Sequence, residues 1–169
     1  MRYRRADIVA RAIDALDAHG LAGLSMRTLA ADLGIQASAL YHHFAGKQAL
    51  LAAVADEILR RGRRGTEVVA WDAELRLVCV ELRDAMLAHR DGAALIAGVH
   101  AAGTGAQGPE QRMTDALRRG GADDDLARVG ARTLLHYVFA HVDDDPADFA
   151  LGLAVVLDGL TARAGRRRT

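Results

Sequence analysis

The chain has 169 residues, of which 51% are apolar, and its 22 basic and 22 acidic residues give a formal net charge of zero. This length supports a full hydrophobic core in one domain, or in one domain with a small extension. One cysteine, Cys79, excludes an internal disulfide, and no segment of the sequence has the character of a secretory signal or the length of a membrane span. We therefore expect a soluble cytoplasmic protein.

The composition favours helices over strands. Aromatic residues make up 4% of the chain, β-branched runs are short, and the only two prolines stand at positions 109 and 146. Long stretches are therefore free to be helical, and we predict an all-α fold.

The charges are unevenly placed along the chain. Residues 1–64 hold ten bases and six acids (net +4), whereas residues 65–162 hold eight bases and sixteen acids (net −8). The basic N-terminal part of the chain is suited to approach phosphate groups. An ordinary solvated surface is the alternative interpretation.

The first predicted helix runs from about residue 5 to residue 19. Its apolar residues Ile8, Val9, Ile13 and Leu16 recur at helical spacing, and Gly20 closes it. We expect this helix to brace the two that follow.

Residues 25–44 contain two short helical patterns joined at one glycine. Ser25 can cap the first, and Gly34 supplies the left-handed backbone of a sharp helical stop. Leu40 and Phe44 lie one turn apart on the second and face inward. The outer and leading surface then carries Gln36, Ala37, Ser38, Tyr41 and His42. These features predict a helix-turn-helix, whose second helix fits a DNA major groove about 12 Å wide.

Further helical patterns follow the helix-turn-helix. One runs from about residue 47 to an arginine cluster at 60–64, and we place a boundary near residue 46 between a three-helix head (1–46) and a helical body (47–169). The body contains an apolar stripe that starts at Trp71 and includes Cys79 as a core residue. A short apolar helix at 93–101, a glycine-rich interruption at 103–109 and a polar helix at about 110–119 come next.

Two helices close the chain, from about residue 123 to 142 and from about residue 146 to 163. The helix formed by residues 149–157 is apolar on nearly every side, a pattern that requires burial on all sides. A second copy of the chain that packs the same two helices into a four-helix interface is the expected cover. Burial of this helix within one chain is the alternative.

Three groups of residues carry a family likeness: Leu33-Gly34-Ile35, then Leu40-Tyr41-His42-His43-Phe44, then Lys47 with Ala49-Leu50-Leu51. In this spacing the chain from about Arg5 to Leu51 resembles the TetR (tetracycline-repressor) family of bacterial transcriptional regulators. In the body, residues 87–93 are similar to the start of the ligand-domain segment of the tetracycline-repressor branch. The resemblance implies a homodimer that binds a near-palindromic operator in successive major grooves and leaves it when a small molecule binds each body.

The resemblance also implies which residues contact double-stranded DNA. Arg27 and Thr28 occupy the family's phosphate-contacting start of a helix, and Tyr41 and Lys47 are expected to be further anchors to the backbone. His43 is expected to pack or to touch phosphate. The positions that face the groove are Gln36, Ala37, Ser38, Ala39 and His42.

Few groups in this set can form hydrogen bonds to bases. Gln36 can pair with adenine, and alanine methyl groups can meet thymine methyl groups. The family often has serine in place of Gln36 and threonine in place of Ala39, so we expect part of the operator specificity to come from DNA shape.

An effector site is expected among the body helices between Trp71 and Val142, whose apolar character favours a largely hydrophobic small molecule. The candidate lining residues are Leu82, Met86, Ile96, His100, Met113 and His136. For His136, a role at an interface is an equal alternative. In the tetracycline branch a histidine in this region binds a magnesium–drug complex. Here Ile96 takes its place in an ungapped alignment, or His100 after a one-turn insertion, and we expect neither a metal site nor a cofactor.

Two other classes of function compete with a ligand-responsive repressor. The sequence has no phosphate-binding loop, nucleophile elbow or zinc spacing, so we expect no enzyme and no catalytic residues. A DNA-binding activator or architectural regulator without a small-molecule effector remains the alternative to a ligand-responsive repressor.

Overall fold

A computed structural model describes residues 3–65 and 70–165 of the chain. Over these ranges the chain is helical and contains no strand, so the predicted all-α class is confirmed. The helices of the described ranges are α1 (Arg5–Gly23), α2 (Met26–Leu33), α3 (Ala37–Tyr41), α4 (Lys47–Gly62), α5 (Trp71–Leu87), α6 (Gly92–Ala101), α7 (Gly108–Arg119), α8 (Asp124–Ala140) and α9 (Pro146–Gly165).

The chain divides into two compact units. The first comprises residues 1–62 and 85–106, and the second comprises residues 63–84 and 107–169. Helix α6 belongs to the first unit, where it packs on α4. The boundary between head and body near residue 46 stays a prediction.

In the first unit, α1 packs on α2 and α4 through the predicted apolar stripe. Ile8 and Leu16 are fully buried, and Ile13 is almost so. Gly20 interrupts the helix with φ +72° and ψ 175°, after which the helical turn resumes as far as Gly23. A side chain at residue 20 would be strained by this positive φ and would meet Asp91 Oδ2 at 2.7 Å, so glycine is required there.

In the second unit, α8 packs on both α7 and α9. Asp123 caps α8 by accepting a hydrogen bond from the backbone N–H of Leu126 at 2.8 Å. Cys79 is fully buried on α5, and desolvation raises the pKa of its thiol to about 12, which agrees with a core role.

Helix α9 is covered on one side only. Phe149, Leu153 and Leu157 are buried, whereas Leu151 and Val155 are 67% and 66% exposed. The alternative that this helix is buried all round within one chain is therefore wrong, because apolar residues at positions i and i+4 are left in solvent.

Candidate nucleic-acid interface

The start of α2 is held by a reciprocal cap. Ser25 Oγ accepts a hydrogen bond from the Thr28 backbone N–H at 3.1 Å, and the Ser25 backbone N–H donates to Thr28 Oγ1 at 2.9 Å. At its other end, Gly34 adopts the left-handed conformation (φ +65°) and its N–H donates to the Ala31 carbonyl at 3.0 Å. Both sequence-predicted helix boundaries are confirmed.

The hydroxyl of Thr28 is used inside this cap. Thr28 Oγ1 lies 3.1 Å from the Gly23 carbonyl oxygen and 3.0 Å from the Ser25 carbonyl oxygen, and either oxygen can accept its single proton. A phosphate oxygen accepts hydrogen bonds and cannot donate one, so a bound phosphate would have to compete for that proton. The neighbouring Arg27 is exposed and forms no ion pair among the described residues, and it is better suited to supply the charge at this helix start.

Helix α3 is short and is positioned by two inward residues. Leu40 is fully buried and Phe44 is 2% exposed, so the predicted inner face is confirmed. Arg5 of α1 lies over the Phe44 ring, 4.7 Å from its centroid, and ties the beginning of α1 to the end of the helix-turn-helix.

The opposite surface of this segment is polar and free of acidic residues. The exposed residues are Gln36, Ser38, Tyr41, His42 and His43, and the half-buried ones are Ala37, Ala39 and Lys47. Gln36 stands at the N-cap position, yet its side chain makes no capping hydrogen bond, so its amide is available to a ligand. Residues 34–46 include no Asp or Glu, so no carboxylate on this segment repels phosphate.

The end of α1 is bound to the turn between α5 and α6. Asp17 accepts a hydrogen bond from the Arg90 backbone N–H at 3.0 Å and lies 2.9 Å from His89 Nδ1. Asp91 Oδ2 accepts from the Leu21 backbone N–H at 2.8 Å. This contact could not be predicted from the sequence, because its partners lie about 70 residues apart and only the likeness of residues 87–93 marked one side of it.

A second carboxylate joins α4 to the segment after α6. Asp56 Oδ1 accepts a hydrogen bond from the backbone N–H of Ala106 at 2.7 Å. Ala106 is 1% exposed and has φ +59°, a conformation that is uncommon for a residue with a side chain. The glycine-rich interruption predicted at 103–109 therefore has a backbone amide at its middle residue that is fixed by α4.

The six candidate effector residues differ in burial. Leu82, Met86, Ile96 and Met113 are buried, His100 is half-buried and His136 is exposed on α8. Met86, Ile96 and His100 belong to the first compact unit, and Leu82, Met113 and His136 belong to the second. Surface cavities of about 450, 590 and 650 Å³ in the described part of the chain are lined by other residues.

Comparison with known proteins gives the same family as the resemblance. Residues 8–54 match the model of the bacterial regulatory proteins of the tetR family, and residues 66–147 match the tetracyclin repressor-like C-terminal domain. The chain belongs to the TetR family. The family is one of bacterial regulatory proteins, and its members are transcriptional regulators.

Three relatives of this TetR-family chain are informative. The tetracycline repressor protein of class C from Escherichia coli is 34% identical over 121 residues, which are 70% of this chain and 53% of that protein. The chain thus spans about half the length of the curated relatives it matches. The crystal structure of BioQ from Mycobacterium smegmatis has a TM-score of 0.87 at 37% identity and covers 95% of this chain and 99% of its own. A structure of BioQ with its natural double-stranded DNA operator has a TM-score of 0.84 at 39% identity, with the same coverage.

No helix in the described ranges is both long enough and apolar enough to cross a membrane.

Proposed function

We propose that this TetR-family chain is a ligand-responsive repressor, which binds a palindromic operator as a homodimer and is released by a small, largely apolar effector. The observation that carries the proposal is the exposed surface of α3, which presents Gln36, Tyr41 and His42 on a helix anchored by Leu40 and Phe44. A related protein, BioQ, has been crystallised with its operator. The proposal assigns the activity to the cytoplasm, where a bacterial operator lies.

The proposed DNA contacts divide into two kinds. Gln36, Ser38 and His42 have polar groups that can reach base edges, and Ala37 and Ala39 offer methyl groups to thymine. The proposed contacts to phosphate are Arg27, Tyr41, His43 and Lys47. Because the Thr28 hydroxyl is engaged in the cap of α2, the backbone at the start of α2 is the proposed phosphate contact there.

Selection of duplexes from a random library by the full chain tests the DNA assignment. We expect a near-palindromic site with half-sites about 34–36 Å apart or a multiple of that. His42→Ala and Tyr41→Ala should abolish specific binding in gel shifts. Gln111→Ala, a change at an exposed residue of α7, is the matched control and should bind like the parent. Variants at positions 41 and 42 that bind like the parent would show that α3 does not enter the groove.

The uncovered apolar residues support the proposed homodimer. Leu151 and Val155 share one face of α9, and Val129 on the adjacent α8 is 50% exposed. Large apolar side chains left in solvent on two packed helices are what a second copy would cover. His136 lies two turns from Val129 on α8, which favours its interpretation as an interface residue.

Sedimentation measurements at micromolar concentration test the dimer. Leu151→Asp should convert a dimer into a monomer, because it would place two charges in an apolar contact related by twofold symmetry. The matched control is Leu87→Asp on α5, a leucine of comparable exposure (49%) outside the proposed interface. A parent chain that is monomeric at this concentration would contradict the proposal.

Four of the candidate effector residues, Leu82, Met86, Ile96 and Met113, are apolar and buried, a character that favours an apolar effector over a charged one. A thermal-shift screen of small apolar molecules tests this part. A true effector should raise the melting temperature and weaken operator binding, because it binds the folded chain and shifts it away from the DNA-binding arrangement. Operator binding that no molecule in the screen weakens would favour the alternative, a regulator without a small-molecule effector.

A further inference from the structure

A groove of about 650 Å³ lies between α1 and α4 in the first compact unit. Both helices line it, and Thr104 adds a residue from the segment that follows α6. None of the six candidate effector residues belongs to its lining. Ligand sites in proteins have volumes of about 300–1,000 Å³, so the groove has room for a small organic molecule.

The apolar part of the lining consists of small side chains. Val9 and Ala52 are buried, and Ala49 and Ala53 are half-buried. Because an alanine side chain is a single methyl group, α1 and α4 leave space between them that these side chains do not fill. An apolar ring or a short chain placed there would remove apolar surface of both helices from water.

The two carboxylates of the lining are already engaged by the protein. Asp56 Oδ1 accepts a hydrogen bond from the Ala106 backbone N–H at 2.7 Å. Glu57 accepts from Arg60 Nε at 2.7 Å and from Arg61 Nε at 2.8 Å. The hydrogen bond from Arg60 lowers the pKa of Glu57 to about 2, so this carboxylate is ionised at neutral pH and is matched by two cations. A cationic ligand would have to displace these partners.

Arg5 is the cation of the lining that forms no ion pair in the described part of the chain. Its guanidinium lies 4.7 Å from the centroid of the buried Phe44 ring. Contact with an aromatic ring uses the flat face of a guanidinium and leaves the N–H donors on its edge. Two of these donors match the two oxygens of a carboxylate. Arg5 therefore presents a preoriented anion site to the groove.

We propose that this groove binds a small carboxylate with an apolar body. The carboxylate pairs with the edge of the Arg5 guanidinium, and the apolar body covers Val9 and Ala52. The site lies within one compact unit and is distinct from the proposed effector pocket. It depends on the groove and on Arg5, and not on DNA binding.

Titration of the full chain with small carboxylates, followed by NMR, tests the site without DNA. The probes are hexanoate and phenylacetate, each compared with its uncharged amide and with acetate, which has no apolar body. We expect at least one of the two carboxylates to bind saturably with a dissociation constant of about 1 mM or lower. Its amide and acetate should bind at least about tenfold more weakly, because each lacks one half of the recognition. Absence of saturable binding by both carboxylates up to about 20 mM, or equal binding of the amide, overturns the proposal.

Substitutions of Arg5 test the anion contact. Arg5→Ala should weaken binding of the carboxylate by at least about tenfold, and Arg5→Lys by about threefold to tenfold, because lysine keeps the charge but lacks the two-pronged edge. Arg11→Ala is the matched control, since Arg11 is an exposed arginine of the same helix that does not line the groove. It should change the affinity by less than about twofold. Parental affinity in Arg5→Ala overturns the proposal.

A larger side chain tests the apolar contact while Arg5 is kept. Ala53→Leu fills the groove from α4 and should weaken binding by at least about tenfold; leucine is a good helix former, so the helix is retained. Ala94→Leu, at an exposed position of α6, is the matched control and should bind like the parent. Ala49→Leu blocks the same groove if Ala53→Leu does not fold. Unchanged binding in a folded blocking variant overturns the proposal.

Operator titrations distinguish the carboxylate from DNA phosphate, the other anion that Arg5 could meet. If Arg5→Ala lowers the slope of log affinity against log salt by about one while neither carboxylate binds the parent, the anion at Arg5 is the DNA backbone and the proposal is overturned. Carboxylate binding that requires Arg5 supports the proposal even in a chain that selects no duplex, and that result would refute the DNA-binding function alone.

Discussion

Replacement of Gly152 by alanine tests the packing of α8 against α9. A Cβ atom at this position would overlap the hydroxyl oxygen of Tyr137 and lie 3.1 Å from two of its ring carbons. The same hydroxyl donates a hydrogen bond to the Phe149 carbonyl at 2.8 Å. The new methyl group must therefore displace the tyrosine and weaken this bond.

The magnitudes favour a net loss of stability. Alanine is favoured over glycine in a helix by about 0.8–1 kcal/mol. Overpacking of a well-filled contact costs about 1–3 kcal/mol, and the loss of a hydrogen bond costs about 0.5–1.5 kcal/mol. We expect the free energy of unfolding to fall by about 1–3 kcal/mol, measured by guanidinium denaturation at a fixed protein concentration, since assembly would make the result depend on concentration.

Two further variants show whether Tyr137 is the cause. Gly98→Ala, in α6, places its Cβ in open space and should be neutral or stabilise by up to about 1 kcal/mol. In a Tyr137→Phe background the hydroxyl is absent, so Gly152→Ala should cost at least about 1 kcal/mol less than in the parent. An equal cost in both backgrounds would refute the reasoning.

The remaining predictions concern single charged residues. Lys47→Ala should reduce the slope of log affinity against log salt by about one, as measured by operator titrations at several salt concentrations; an unchanged slope would argue against a phosphate contact. Asp17→Ala removes the acceptor shared by the His89 ring and the Arg90 amide and should lower the free energy of unfolding by about 1–2 kcal/mol. Asp14→Ala, which removes only an exposed ion pair on the same helix, should cost less than about 0.5 kcal/mol, and equal losses would contradict the assigned contact. A hydrogen bond from Arg60 lowers the pKa of Glu57 from 4.5 to about 2, so the stabilising effect of this carboxylate is present above pH 4.5 and is lost as the pH falls toward 2. Because Arg60 is largely exposed we expect only about 0.5–1 kcal/mol, seen as a shallower acid limb of stability against pH in Glu57→Gln than in the parent.

The helices could be read from the sequence because their boundaries are set locally. Ser25 caps α2, Gly34 ends α2 in a left-handed conformation, and Asp123 caps α8. Each of these residues bonds to backbone groups only a few positions away along the chain, so a short stretch of sequence is enough to predict the boundary. The outer surface of α3 was equally predictable, since the spacing of Leu40 and Phe44 determines which residues face away from the core.

Contacts between residues that are far apart in the sequence could not be predicted from local signals of this kind. An aspartate on the polar face of α1 gives no sign that a histidine 72 residues later will pair with it, because most surface charges are simply solvated. The engagement of the Thr28 hydroxyl depends on the path of the backbone between α1 and α2, which one sequence does not reveal. Glu74 of α5 pairs with Arg119 of α7, and Glu81 of α5 pairs with Arg112 of α7. The matching seven-residue intervals of the two acids and of the two arginines are a pattern that could have been found in advance.

The assignment of α6 to the same compact unit as the helix-turn-helix has a consequence for dissecting this regulator. A fragment truncated after α4 would contain every proposed DNA contact yet would lack the helix on which α4 packs, together with the acceptor of the Leu21 amide. Such a fragment would expose the surface of α4 that packs on α6, and it would be prone to self-association. To exchange the first compact unit between relatives, residues 1–62 and residues 85–106 must therefore be transplanted together.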